Sequence, residues 1–429
     1  MKADFSRRHL LKKSAVAAAA LFPAPMIIPQ RAFGSNDRIS VGCIGVRNQG
    51  LGNLERFLKA GADITAVCDV DSDVAAAATA RLAKENLSTS VFTDYRALLD
   101  RKDIDAVVVT TPDHWHALMT IDACQAGKDV YCEKPLSLTI AEGRRMVTAA
   151  RKYSRIVQTG SQQRSSSEFR HACMVARNGM IGSIREVLVG IPDPNHPGPT
   201  GPDEPVPASL NYDLWLGPAP LRPYNSRRVH YNFRFWWDYS GGQITNFGAH
   251  HLDITQWALG MDNSGPISVE GTATFHPQRY HEVTETCRIT YEYAGGTRVT
   301  LGQGQPDIPE GVTLIGTKGR VAVNRGKLSS DPPELLQQPL TSESFIQLAS
   351  SSDHTVNFLN SVRSRELPIC DVEIGHRSAT VCHLGNLVAR LGRKIQWDPV
   401  TESVTGDKEA QAMVDREYRS PWTHAGRTS

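Results

Sequence analysis

Ile39-Ser-Val-Gly-Cys-Ile-Gly-Val-Arg-Asn-Gln-Gly-Leu-Gly-Asn53 decides the fold: a β-branched run breaks into Gly45, Gly50 and Gly52 and continues as the amphipathic Leu54-Glu-Arg-Phe-Leu-Lys59. The pattern predicts strand, tight turn, helix. A second apolar run, Ile64-Thr-Ala-Val-Cys68, ends in Asp69, about 20 residues past the glycines, where a dinucleotide fold places the acid that accepts from a ribose hydroxyl. Glycines let the backbone approach a pyrophosphate, and the helix N-terminus offers N–H groups and a partial positive charge. The acid favours NAD, with NADP left open by Arg47, which stands two residues after Gly45 where a further glycine is usual. There the pyrophosphate is either held slightly farther off or met by the guanidinium.

Outward from this turn, strands and helices alternate from Arg38 to Gly160, which predicts a parallel sheet with helices on both faces. An apolar strand, Lys128-Asp-Val-Tyr-Cys132, leads into Glu133-Lys134-Pro135. From Gln162 to about Leu348 the pattern changes to a helix, Glu168 to Asn178, followed by strands near 185–190, 267–275, 286–293 and 311–323. The turns Ala294-Gly-Gly-Thr and Thr317-Lys-Gly-Arg mark hairpins, so a mostly antiparallel sheet is expected. Helices follow near 354–365 and 375–391, the second ending at Gly392, and near 407–416. The expected fold class is α/β, a doubly wound domain (35–160) joined to an α+β domain with a large open sheet (161–350), then C-terminal helices (351–429).

These landmarks resemble the glucose-fructose oxidoreductase, inositol dehydrogenase and rhizopine-catabolism (Gfo/Idh/MocA) family. The matching residues are the Gly45 to Gly52 turn, Asp69, Thr111-Pro-Asp-His-Trp-His116, Glu133-Lys134-Pro135 and Gly241-Gly-Gln-Ile-Thr-Asn-Phe-Gly-Ala-His250-His-Leu-Asp253. The resemblance implies a nicotinamide-dependent oxidoreductase acting on a sugar, polyol or glycoside hydroxyl, assembled as a homo-dimer or tetramer through its open sheet. It also implies that the tail helices pack back on the first domain, and that Thr111, Pro112, His114, His116, Glu133 and Lys134 face the nucleotide, the two histidines at the nicotinamide ribose.

Oxidising a secondary alcohol needs a group that takes the hydroxyl proton, a neighbour that holds that group, and a dinucleotide placed to receive the hydride. His250 is the candidate base, and Lys134 the donor that polarises the substrate oxygen. Asn246 lies four residues before His250, on one face of a helix start, where the family commonly has Asp. A neutral hydrogen bond contributes about 0.5 to 1.5 kcal/mol against roughly 1.5 to 3 for one to a charged group, so His250 is expected to titrate lower than beside Asp. Gln162, Arg164, Trp236, Trp237 and His251 are expected to meet the substrate. The two tryptophans belong to a Pro-rich insertion, Ile191 to Tyr239, whose Phe233-Arg-Phe-Trp-Trp-Asp-Tyr239 cluster suits the apolar faces and hydroxyl rims of sugar rings.

Composition fits a globular chain of two or three domains: 429 residues, 40% hydrophobic and 21% charged. The formal charge of +2 is concentrated in residues 1–34, which leaves the rest weakly acidic and gives no sign of a nucleic-acid partner. No segment beyond the leader reaches the roughly 20 apolar residues of a membrane span. That leader, with Ser6-Arg7-Arg8-His9-Leu10-Leu11-Lys12 before Ser14-Ala-Val-Ala-Ala-Ala-Ala-Leu-Phe22, resembles a twin-arginine signal and predicts export to the periplasm as a folded protein. Eight cysteines without metal or redox spacing read as core thiols. The groups Asp113-His114-Trp115-His116 and His250-His251-Leu-Asp253 match no familiar zinc pattern, so no metal is expected. Two rival readings stand beside the oxidoreductase: a glycoside hydrolase that oxidises its sugar transiently with bound NAD, and a noncatalytic dinucleotide-binding sugar sensor.

Overall fold

The computed structural model describes residues 38–338, 340 and 344–424; the expected leader lies outside them. Strand β1 (Ser40–Ile44) stands between β2 (Asp63–Cys68) and β4 (Ala106–Val109), and β3 (Ser90–Phe92), β5 (Asp129–Cys132) and β6 (Val157–Thr159) complete a sheet of order β3-β2-β1-β4-β5-β6. All its pairings are parallel. Strands covered on both faces need apolar side chains on both, as in Ala106–Val109 and residues 130–132, while Asp129 at the start of β5 is buried against Arg365. The strand order reverses beside β1, and the crevice beyond the carboxyl ends of β1 and β4 is where this topology binds ligands.

The helix Gln49–Lys59 buries Leu54 and Phe57 against this sheet. Thr139 and Glu142 form a reciprocal capping box that starts the helix Ile140–Lys152.

The second sheet has the order β13-β12-β11-β7-β10-β9-β8-β14-β15 among the described residues. Its strands are β7 (Ile184–Ile191), β8 (Ser268–Phe275), β9 (Thr284–Glu292), β10 (Arg298–Gln303), β11 (Gly311–Gly316), β12 (Arg320–Asn324), β13 (Lys327–Asp331), β14 (Ile395–Asp398) and β15 (Ser403–Thr405). Only β7 and β10 pair parallel, so the sheet is mostly antiparallel, as expected. The helices Ser167–Arg177, Gly248–Leu259 and Val372–Leu391 contribute to the apolar core beneath it. Gly260 and Gly392 end the latter two in left-handed conformation, at φ 73° and 66°.

The tail packs back on the first sheet: Phe358 of the helix His354–Ser364 meets the rings of Phe57 and Tyr131 at 5.8 and 5.9 Å. All eight cysteines are buried and free.

The Pro-rich insertion is ordered around its own aromatic core of Trp215, Tyr224, Phe235, Trp236 and Tyr239. It is stitched to the loop after β2, where Ser72 N–H donates to Ser209 O (2.9 Å) and Asn211 N–H to Val70 O (2.8 Å). From the other side Arg419 N–H donates to Pro218 O (3.0 Å), and its guanidinium to Asp213 (2.7 Å).

Candidate active site

The residues immediately after four strand ends, Gly45, Asp69, Thr110 and Glu133, converge on one cleft of about 360 Å³. Gly45 adopts φ +77°, and a Cβ there would lie 2.7 Å from Thr110 O; a Cβ on Gly50 would lie 2.0 Å from Gly45 O. Both positions admit only glycine, whereas a Cβ on Gly52 would meet nothing nearer than Arg56 at 3.9 Å. Gly50 and Gly52 therefore shape the turn and the helix behind it rather than line the cleft, which Gly45 and the exposed Arg47 do.

Asp69 accepts from the N–H groups of Val46 and Asp71, both at 3.0 Å, which fastens the glycine turn to the end of β2. Burial raises its pKa, with the two N–H donors working in the other direction. A carboxylate has about four lone-pair sites, so acceptor capacity remains for a ribose diol. The helix Gln49–Lys59 has no side-chain cap and no acid in its first turn, and Thr111 Oγ1 is buried without a protein partner. Glycine cradle, uncapped helix start and acid fit a dinucleotide. Glu133 is committed to the protein, accepting from Asn53 Nδ2 (2.9 Å) and Gln49 Nε2 (3.0 Å) and so locking the Glu-Lys-Pro turn to the glycine-turn helix.

At the other end of the cleft Lys134 Nζ donates to Asn246 Oδ1 (2.8 Å) and to Asn246 O (3.0 Å). Asn246 Nδ2 in turn donates to Gln243 Oε1 at 3.0 Å, which fixes the amide's orientation. Desolvation lowers the pKa of Lys134 to about 8, with Arg234 and Arg325 pushing the same way and Glu133 and Asp113 opposing. His250 is buried, its Nδ1 has no protein partner, and burial and the Lys134 charge hold its pKa well below the usual imidazole range. The helix expected across Asn246 and His250 is two pieces, Gly242–Asn246 and Gly248–Leu259, joined at Phe247, yet both side chains reach the cleft.

His116 has Nδ1 2.8 Å from Pro135 O and Nε2 2.9 Å from Thr111 O, two carbonyls that only a doubly protonated ring satisfies together. Against the cost of burial, Cys132, Asp113 and the Pro135 carbonyl raise its pKa to about 10. It lines the cleft with Thr111 and Pro112, and its two ring nitrogens tie the Glu-Lys-Pro turn to the Thr111 carbonyl.

Other expected contacts lie elsewhere. His114 is fully buried beneath the insertion with Nε2 3.0 Å from Trp215 O, because the first turn of the helix Asp113–Gln125 aims it at Trp215 and Tyr239. Arg164 does not line the cleft: it is buried in an ion pair with Asp253 (2.8 Å) and Asp262 (2.7 Å), 89 and 98 residues away in sequence. Trp236 is in the insertion's core, its Nε1 donating to Arg227 O (3.1 Å), and Trp237 lies under Arg390. His251 faces Gly190 O at 3.0 Å, away from the cleft. Gln162 does line it. The insertion instead contributes His230, Tyr231, Phe233 and Arg234, the β12–β13 turn contributes Arg325, and Asp71 closes the cofactor end. Among the described residues no group of three His, Cys, Asp or Glu is placed to hold a metal.

Fold and cleft together define a two-domain protein whose Rossmann domain is built to hold a dinucleotide. The chain belongs to the Gfo/Idh/MocA oxidoreductase family: residues 199–424 match its C-terminal alpha/beta domain and residues 39–161 its NAD-binding Rossmann fold, so the cofactor is NAD. It is 30% identical over 204 residues to a glycosyl hydrolase family 109 protein of Shewanella sp. (strain W3-18-1), a match over 42% of this chain and 44% of that relative. The chain thus spans less than half the length of such relatives. In fold it is similar to the WlbA dehydrogenase from Bordetella pertussis in complex with NADH and UDP-GlcNAcA, with TM-score 0.63, 21% identity, and coverage of 84% of this chain and 99% of that one. The aldose-aldose oxidoreductase from Caulobacter crescentus, complexed with glycerol, gives TM-score 0.61, 18% identity, and coverage of 84% and 99%.

Proposed function

We propose that this protein moves a hydride between a CH–OH carbon of a sugar, polyol or glycoside and tightly held NAD, with Lys134 and His250 handling the hydroxyl proton. The observation that carries the reading is Lys134 Nζ held by both oxygens of Asn246, in one cleft with His250 and the glycine cradle. An ammonium has three donors; two are engaged by Asn246, and the third is left to grip the substrate oxygen. His250, neutral at pH 7, accepts the proton that the polarised hydroxyl releases. NAD, when bound, supplies the hydride acceptor. Tyr231, Phe233 and Phe247 offer ring faces to the sugar's C–H surface and limit water around the reacting carbon.

The test is to purify the chain without added nucleotide, identify any dinucleotide released on denaturation, and follow nicotinamide absorbance as a panel of sugars and polyols is added. No absorbance change with any member would remove the reading.

The family 109 likeness favours one second reading, glycoside hydrolysis through transient oxidation. A chromogenic glycoside cleaved without added NAD would establish it.

Export by the twin-arginine route accords with a cofactor bound before transport, and a reporter fused to residues 1–40 that stays in the cytoplasm would sink this. Assembly through the open sheet into a dimer or tetramer is checked by light scattering, which would return a monomer mass if the proposal is wrong.

A further inference from the structure

We infer that the substrate carries an anionic group, a carboxylate or a phosphate, received between Arg234 and Arg325 at the reacting end of the cleft. The inference rests on the hydride-transfer reading only for what happens after binding.

Three cations, Lys134, Arg234 and Arg325, share this end of the cleft with His250. Two carboxylates lie near, but neither is bonded to an arginine: Asp113 accepts from Ser240 Oγ at 2.5 Å, and Glu133 from Gln49 and Asn53. Among the described residues neither arginine forms an ion pair. Arg234 is half-buried with its guanidinium 4.3 Å from the Tyr231 ring centre and 4.8 Å from that of Phe233, and it donates from Nη1 to Tyr231 O at 2.8 Å. Arg325 stands in the turn between β12 and β13, its guanidinium 5.4 Å from the Phe247 ring centre. With the Gln163 amide turned to satisfy both its ends, its oxygen accepts from Arg325 Nε at 3.3 Å.

A guanidinium has five N–H donors in a fork that matches carboxylate or phosphate oxygens, so most of the donor capacity of this pair is left over. Three other arginines with little exposure are neutralised: Arg164 meets Asp253 and Asp262, Arg222 meets Asp238 and Glu282, and Arg416 meets Glu142. Burial lowers the Arg234 pKa, and the nearby Asp113 and Glu133 charges offset this only in part. The cofactor's own phosphates belong at the other end, by Gly45, Arg47 and the helix start at Gln49. Arg234 and Arg325 flank Lys134 instead, where a substrate would be.

The experiment is calorimetric titration of the full NAD-loaded chain with hexuronates, hexose phosphates and their neutral parent hexoses. At least one anionic member is expected to bind about tenfold or more tightly than its neutral parent, the worth of a charged hydrogen bond; whether it is the uronate or the phosphate names the source of the charge. Arg234→Gln and Arg325→Gln should each erase most of that advantage, and Arg325→Lys should keep part of it, with NAD per chain reporting that each variant is folded. The inference falls if no anionic sugar binds better than its neutral parent, or if the advantage survives in both glutamine variants. Nicotinamide absorbance on the same samples tests hydride transfer separately: tight anion binding without NADH would leave the anion site standing and remove the oxidation.

Discussion

Lys134 and Asn246 are joined twice, the ammonium donating to the side-chain oxygen at 2.8 Å and to the backbone oxygen of the same residue at 3.0 Å. Because the acceptor is an amide, the ammonium is oriented without being neutralised, and burial is left free to lower its pKa to about 8. Asn246→Asp would place a carboxylate in this contact and favour the protonated forms of both Lys134 and His250. The activity profile should then move to higher pH by about one unit or more. A pH–rate series on wild type and variant checks this, and superimposable curves would take Asn246 out of the site.

Lys134 acts in its protonated form, as the donor to the substrate oxygen. Activity should therefore fall as pH rises through about 8, the value burial gives the ammonium. Arg325 helps lower that pKa and also that of His250, so Arg325→Gln should carry both limbs of the profile upward. Lys134→Met should cost about 10²- to 10⁴-fold in kcat, the usual range for a positioned proton-transfer group, with bound NAD retained.

The glycine turn gives a matched pair. Gly50→Ala puts a methyl 2.0 Å from Gly45 O and must push the turn away from its cradle, whereas Gly52→Ala opens onto free space. Dinucleotide released per chain should drop sharply for the first and stay near wild type for the second, as chromatography of the denatured supernatant would reveal.

Asp253 is fully buried between Arg164 and Ser378, with contacts of 2.8 and 2.7 Å. Asp253→Asn leaves the Arg164 charge without its main counterion and should lower the unfolding free energy by about 3–5 kcal/mol. Urea denaturation measures it; a midpoint close to wild type would mean that Asp262 alone compensates Arg164.

Much of the cofactor end was legible in the sequence because its signals are local. Gly45, Asp69 and Glu133 follow strands whose apolar runs are visible by eye, and a parallel sheet brings strand ends to one edge. The substrate end depends on contacts such as Arg164–Asp253 and Lys134–Asn246, across 89 and 112 residues, which no local pattern announces. Arg164 follows β6 and so was expected at the cleft, but its partners Asp253 and Asp262 come from a distant helix and the loop beyond it and hold it inside. In the aromatic cluster, a 3-10 turn over His230–Phe235 sends Phe233 and Arg234 to the cleft, while Trp236 goes to the insertion's core. Asn-Arg-Gly between two strands reads only as a hairpin turn, so nothing local announces that Arg325 lies over Phe247 and lines the cleft with His250.

The insertion that covers the cofactor end is sewn to the loop after β2 by Ser72–Ser209 and Asn211–Val70, and gripped on its far side by Arg419. A cover anchored along both margins has no hinge on which to swing, so a dinucleotide beneath it would outlast many turnovers. The molecule would then trade carbon compounds, never nucleotides, with its surroundings: one enters reduced and leaves oxidised, another enters oxidised and leaves reduced, and the rate law would be the parallel-line pattern of a reagent regenerated in place.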